Sequence, residues 1–158
     1  MGQLKNIEKL DGVDPMLRKV LIAAVTSLPF DCVVAEGMRS PEQAFINFGK
    51  GRTQQECLRV GCPARYAQPK LAKVTWVREP LATKHLQGRA ADIYPLLANS
   101  KLDTGTTPLR MAHFDALYHA VMRFAADLKV RVRYGGDWDS DGTLREKGET
   151  DSPHFELS

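Results

Sequence analysis

Two histidines and an aspartate in separate segments are the residues of this chain best suited to holding a metal. His85 and Asp92 lie in Thr83-Lys84-His85-Leu86-Gln87-Gly88-Arg89-Ala90-Ala91-Asp92, and His154 lies in Asp151-Ser152-Pro153-His154-Phe155-Glu156-Leu157. Catalytic zinc takes three protein ligands and keeps a fourth position for water, whereas structural zinc closes all four, usually with cysteines. His85, Asp92 and His154 fit the open type. By ligand counting alone the plainer reading is the commoner one: satisfied core or surface histidines and a turn aspartate. A third segment, Glu36-Gly37-Met38-Arg39-Ser40, sets an arginine at the start of a helix, where by type it is a solvated side chain. His113 and His119 are six positions apart, which does not place them on one helix face, and they receive no role.

Asp137-Trp138-Asp139-Ser140-Asp141-Gly142 has the acidic spacing and the glycine of a calcium loop. The closing glutamate of that loop belongs at position 148, which is Gly148, and Glu149 falls one residue late. A full EF-hand is excluded. A solvated acidic turn is the default, with a calcium or other cation site at Asp137, Asp139 and Asp141 as the alternative.

The elements that must position these residues follow from punctuation and periodicity. Asp14-Pro15 reads as an N-cap and first helical residue, and Leu17, Val20, Leu21, Ala24, Val25 and Leu28 recur at helical spacing, so a helix is expected over 15–28. Val33 and Val34 form a short β-prone run, and Ser40-Pro41-Glu42-Gln43 has the form of a capping box opening a second helix. Residues 49–73 read as a long surface excursion with a short helical piece around 53–60. Strands are expected at 74–77 and 90–94. Thr107-Pro108 opens the longest helix, whose apolar face includes Met111, Phe114, Leu117, Tyr118, Val121, Phe124, Ala125 and Leu128. Val130, Val132 and Tyr134 alternate with Arg131 and Arg133 in a half-buried strand, Gly135-Gly136 ends it, and 153–157 is the last strand. The expected fold class is α+β: about three helices with a small antiparallel sheet.

The chain has 158 residues, a length suited to one domain over 1–158. Hydrophobic residues make up 43% and charged residues 26%, which excludes disordered and fibrous classes. Twenty-two Lys and Arg against nineteen Asp and Glu give a net charge of +3, a mild bias toward anionic polymers that does not imply nucleic acid. No apolar stretch approaches the roughly 20 residues of a membrane span, and Met1 to Leu10 lacks the apolar core of a signal peptide. The odd number of cysteines, Cys32, Cys57 and Cys62, points to ordinary thiols in a reducing compartment.

The run His85-Leu86-Gln87-Gly88-Arg89-Ala90-Ala91-Asp92 resembles the histidine-x-x-glycine-x-alanine-x-aspartate signature of a family of zinc peptidases. That family includes D-Ala-D-Ala carboxypeptidases and dipeptidases and the phage L-alanyl-D-glutamate peptidases. The ending Asp151-Ser152-Pro153-His154-Phe155-Glu156-Leu157 is similar to the phage branch, which carries aspartate three residues before the last metal histidine; the dipeptidase branch has glutamate there. Gly37-Met38-Arg39-Ser40, Tyr134-Gly135-Gly136-Asp137-Trp138 and Leu10-Asp11-Gly12-Val13-Asp14-Pro15 also match in order and spacing. Thr83 stands where the family has serine, Tyr134 where it has tryptophan, and 49–78 matches only loosely.

The resemblance implies the hedgehog/DD-peptidase-like fold, with zinc on His85, Asp92 and His154. Zinc there would acidify an attacking water and polarise the scissile carbonyl. Asp151, which by type alone would merely cap a turn, takes the water's proton and passes it to the leaving amine, on a turn stiffened by Pro153. Arg39 donates to the oxyanion or to a substrate carboxylate. Gln43 and Thr83 are assigned to substrate, although Gln43 reads equally as the capping partner of Ser40. The implied function is a phage or prophage endolysin: a monomeric, zinc-dependent peptidoglycan endopeptidase cutting between L-alanine and D-glutamate. It would be made in the host cytoplasm and let through the inner membrane by a separate factor. The alternatives are a D-Ala-D-Ala carboxypeptidase, against which Asp151 speaks, and a non-catalytic zinc-containing wall-binding module, which would need neither Asp151 nor Arg39.

Overall fold

A computed structural model describes residues 1–102 and 107–158 of the chain. Among the described residues are four α-helices: α1 (Pro15–Thr26), α2 (Pro41–Gly49), α3 (Gln54–Leu58) and α4 (Pro108–Asp127). Five strands accompany them: β1 (Leu4–Lys5), β2 (Cys32–Glu36), β3 (Ala90–Pro95), β4 (Val132–Tyr134) and β5 (His154–Leu157). The chain divides into two compact units, one of residues 1–38 and 88–158 and the other of residues 39–87.

In the first unit, Asp14 caps α1. Its Oδ1 accepts from the Met16 and Leu17 amides at 2.8 and 3.4 Å, and Pro15 takes the first helical position, where no intrahelical amide bond is lost. Thr107 caps α4 in the same way through the Arg110 amide, again with proline at the first position. Both helices bury their apolar stripes in one core with Val34, Ala91, Ile93, Val132, Tyr134 and Phe155 of the sheet. Tyr134 stacks between Tyr118 of α4 and Phe155 of β5, each at a 4.9 Å ring separation.

The sheet order is β1-β2-β3-β5-β4. Three pairs are antiparallel as the sequence predicts, but β1 pairs with β2 in parallel, so the sheet is mixed. The cause is connectivity: α1 forms the crossover between β1 and β2, and a helical crossover returns the chain parallel to its first strand. Alternation along the strands sends Ala91, Ile93, Val132, Tyr134 and Phe155 to the core. Asp92, Arg133, His154 and Glu156 therefore point to the opposite face.

The second unit has its own small core of Phe48, Cys57 and Cys62, flanked by Phe45, Val60, Tyr66 and Val77. Thr53 and Glu56 form a reciprocal capping box on α3. The buried Arg52 lies over the Phe48 ring and donates to the carbonyls of Phe48 (2.7 Å) and Thr75 (2.9 Å). The strand expected at 74–77 is not formed: it has no ladder partner, Arg52 holds it by a single carbonyl, and Val74 and Trp76 are exposed. All three cysteines are buried free thiols. Burial, then the adjacent Asp31 charge, pushes Cys32 up to about 12, and burial with the neighbouring Cys57 pushes Cys62 up to about 11. They are packing residues, not nucleophiles.

Candidate active site

In the first unit, strand register builds the site. Asp92 on β3 stands directly across from His154 on β5, and Glu156, two residues further along β5, stands across from Arg133 on β4. Two residues of separation return a strand to the same face, so His154 and Glu156 are neighbours on the side away from the core. The result is a continuous polar chain. Arg133 Nε and Nη2 donate to Glu156 Oε1 at 3.0 and 2.5 Å, Glu156 Oε2 is 2.8 Å from His154 Nε2, and His154 Nδ1 is 3.1 Å from Asp92 Oδ1.

His154 and Glu156 are both buried. Burial alone would discourage charge on the imidazole, but its hydrogen bonds to Asp92 and Glu156, together with the charges of Asp92 and Asp151, outweigh that and push His154 up to about 9. Burial likewise raises Glu156, and its bonds to His154 and Arg133 overcome this and hold it below the ordinary range. An ionised Glu156 accepts the Nε2 proton of His154, which turns the Nδ1 lone pair toward Asp92. A lone pair facing a carboxylate oxygen at 3.1 Å is repulsive unless a cation lies between them. A proton or a metal ion can serve, so the donor set fits a divalent cation.

Asp151 is placed by backbone. The His154 amide donates to the Asp151 carbonyl at 3.0 Å, closing the Asp151-Ser152-Pro153-His154 turn, and the Asp151 amide donates to the Gly135 carbonyl at 3.2 Å. A Cβ on Gly135 would overlap the Asp151 carbonyl oxygen, so only glycine lets the chain pass there. The turn sets Asp151 Oδ2 at 3.9 Å from His154 Nδ1, with the carboxylate half-exposed. Gly88 of the first motif has a positive φ of 68°, and a Cβ there would overlap the Gly12 carbonyl oxygen. Its own carbonyl accepts from the Asp14 amide at 2.7 Å, which explains why the Leu10–Pro15 run accompanies the motif.

Arg39, Gln43, Thr83 and His85 lie in the second unit. His85 is buried, and its carbonyl accepts from the Arg39 amide at 2.9 Å, so the two ends of this unit are joined by backbone. Thr83 Oγ1 accepts from the Leu86 amide at 3.3 Å, which fixes the turn carrying His85. Ser40 accepts from the Gln43 amide, but the Gln43 side chain donates to Asn47 at 2.9 Å and does not return to the cap. Asp137, Asp139 and Asp141 do cluster, in the first unit, with ligand atoms within 4.8 Å of one another. Asp137 is buried and accepts from the Asp141 and Gly142 amides at 3.1 Å each, so the acidic residues organise their own loop.

The sequence reading passes over Glu156 and Arg133 as a pair. The signal present was the His154–Glu156 spacing of two on an expected strand. What it lacked was the β4–β5 register, which no local pattern supplies. Trp138 closes this corner: its ring is 5.4 Å from the His154 ring and lies under the Arg133 guanidinium at 5.1 Å.

The fold is shared with a solved endopeptidase. The crystal structure of the Serratia marcescens L-Ala D-Glu endopeptidase ChiX superposes with a TM-score of 0.58 at 24% identity, covering 96% of this chain and 84% of that one. The L-alanyl-D-glutamate peptidase of Escherichia phage T5 is 27% identical over 157 residues, 97% of this chain and 95% of that protein. The family model for phage L-alanyl-D-glutamate peptidases matches residues 65–158. The chain belongs to that peptidase family. Among the described residues no helix is long and apolar enough to cross a membrane.

Proposed function

We propose that this peptidase hydrolyses the bond between L-alanine and D-glutamate in the stem peptide of bacterial peptidoglycan, as a phage endolysin, with zinc held by His85, Asp92 and His154. The observation that carries the reading is the Asp92–His154 pair, set across two strands with a carboxylate behind the imidazole, in a chain of this family. His85 supplies the third ligand from seven positions before Asp92. When bound, zinc supplies Lewis acidity for the scissile carbonyl and for the attacking water. Asp151 accepts the proton of that water and delivers it to the leaving amine, the half-exposed carboxylate having room to turn between the two. Arg39 donates to the oxygen on which charge develops. Glu156 and Arg133 hold His154 in the tautomer that offers Nδ1. The enzyme acts as a monomer, made in the host cytoplasm and reaching the wall after release through the inner membrane.

Mass spectrometry of fragments released from purified peptidoglycan tests the bond. A new N-terminal glutamate is the expected product. Free D-alanine would instead define a carboxypeptidase, and wall binding without cutting would define a recognition module.

The same reading places a calcium ion in the acidic loop. Its support is Glu149, which the calcium-loop pattern puts one residue late. Glu149 is buried, its Oε1 accepts from the Asp139 amide at 3.3 Å, and its Oε2 has no hydrogen-bond partner among the described residues. Asp139, Glu146 and Glu149 bring their oxygens within 4.8 Å of one another. Burial and then the neighbouring carboxylates of Asp141, Glu149 and Asp139 raise Glu146. Calcium added to zinc-loaded protein should raise the melting temperature by ligand linkage, about 2.7 kcal/mol of stabilisation at a hundredfold excess over Kd. Changing Asp139 and Asp141 together to asparagine should remove the response. A titration with no effect on spectra, stability or activity would discard the site.

A further inference from the structure

Within the first unit a cavity of about 300 Å³ opens beside Asp151. Its walls carry Tyr94 of β3, Arg110, Met111 and Phe114 of α4, Arg145 of the acidic loop, and Asp151 itself. Two guanidiniums and a phenol thus share a small space with one carboxylate. Each is fixed: Arg145 Nη1 is 2.7 Å from Asp115 Oδ1, the Arg110 guanidinium lies 5.1 Å from the centre of the Phe114 ring, and Tyr94 meets that ring edge-on at 6.0 Å.

The position of the cavity says which part of a substrate would enter it, given the proposed bond. If Asp151 delivers a proton to the leaving amine, the residue that owns this amine lies on the Asp151 side. In an alanyl-glutamate bond that residue is glutamate. Glutamate has two carboxyl groups, and a chain continuing beyond it uses only one. The other remains a free carboxylate a few bonds from the scissile nitrogen. A planar anion on a short methylene arm matches a cavity with a guanidinium fork, a phenol donor and the apolar walls of Met111 and Phe114. Its volume is at the small end for ligand sites, suited to one residue.

We propose that the cavity lined by Tyr94, Arg110, Arg145 and Asp151 is the subsite for the free carboxylate of the leaving glutamate, with Arg110 as its specificity-determining contact. The proposal rests on the alanyl-glutamate assignment above. It is tested with two peptides that differ only at that group, one carrying the free carboxylate and the other its primary amide. The natural enzyme should favour the acid by roughly 10- to 100-fold in kcat/KM, the scale of a lost charge-assisted pair. Arg110→Gln should bring that ratio close to one, and Arg110→Lys should restore part of it. Equal cleavage of acid and amide by the natural enzyme overturns the subsite while leaving the bond assignment standing. An Arg110→Gln enzyme that keeps the full ratio also overturns it. Failure of the natural enzyme to cut either peptide overturns the bond assignment and the subsite with it.

Discussion

Zinc-loaded Asp151→Asn protein is expected to keep its metal and its fold and to turn over roughly 10²-fold or more slowly, the usual scale for losing acid–base assistance. The structure sharpens this expectation because what positions Asp151 is backbone: the Gly135 carbonyl and the His154 amide hold the turn whatever the side chain. Asparagine is nearly isosteric, and the carboxylate is half-exposed. The amide cannot accept the water's proton. A melting temperature within a few degrees of the parent, measured with zinc content and turnover, separates lost chemistry from lost structure. Near-normal turnover by folded, loaded protein would remove Asp151 from the mechanism. Glu156 would not replace it, being held between His154 and Arg133, and Glu149 would become the group to change next.

Replacing His85 or His154 with alanine should abolish activity and lower bound zinc from about one per chain to near zero, because three protein ligands are the minimum for a catalytic site. Elemental analysis showing zinc unchanged in both variants would refute the ligand assignment. Glu156→Gln belongs to the same series with a graded result. Glutamine retains an oxygen that accepts the His154 Nε2 proton but loses the charge that polarises the ring and pairs with Arg133. Zinc affinity should fall by about 10- to 100-fold, the range typical of such supporting groups, with the fold intact. An unchanged dissociation constant would mean that Glu156 serves the sheet alone. Cobalt or manganese restoring part of the activity of chelated enzyme agrees with a carboxylate-containing ligand set.

Much of this molecule is legible before folding because its signals are local. Asp14-Pro15 and Thr107-Pro108 announce the two long helices, and both caps form as read. The positions of Asp92, Asp151 and His154 follow from motifs at the ends of short β-prone runs, and the register pairs Asp92 with His154. What was not legible is non-local. A two-residue strand such as β1 has no periodicity to detect, and it exists because α1 carries the chain back alongside it. The 74–77 run has strand composition but no edge to join, and an arginine takes its carbonyl instead. Glu156 reads as an ordinary alternating strand residue until β5 is laid against β4, when it becomes the link between Arg133 and the imidazole.

The strand order also bears on when the enzyme can become active. β5 is synthesised after the other four strands yet lies between β3 and β4, so neither neighbour has its final ladder until β5 enters. Before that moment the nascent chain has Asp92 and Arg133 on strands that do not touch, and lacks His154, Glu156 and Asp151 as ordered groups. The β3–β5–β4 ladder and the candidate site are therefore built by the same pairings, between residues distant in sequence. Chains that stop short of β5 lack His154 and Glu156 and cannot assemble the candidate site.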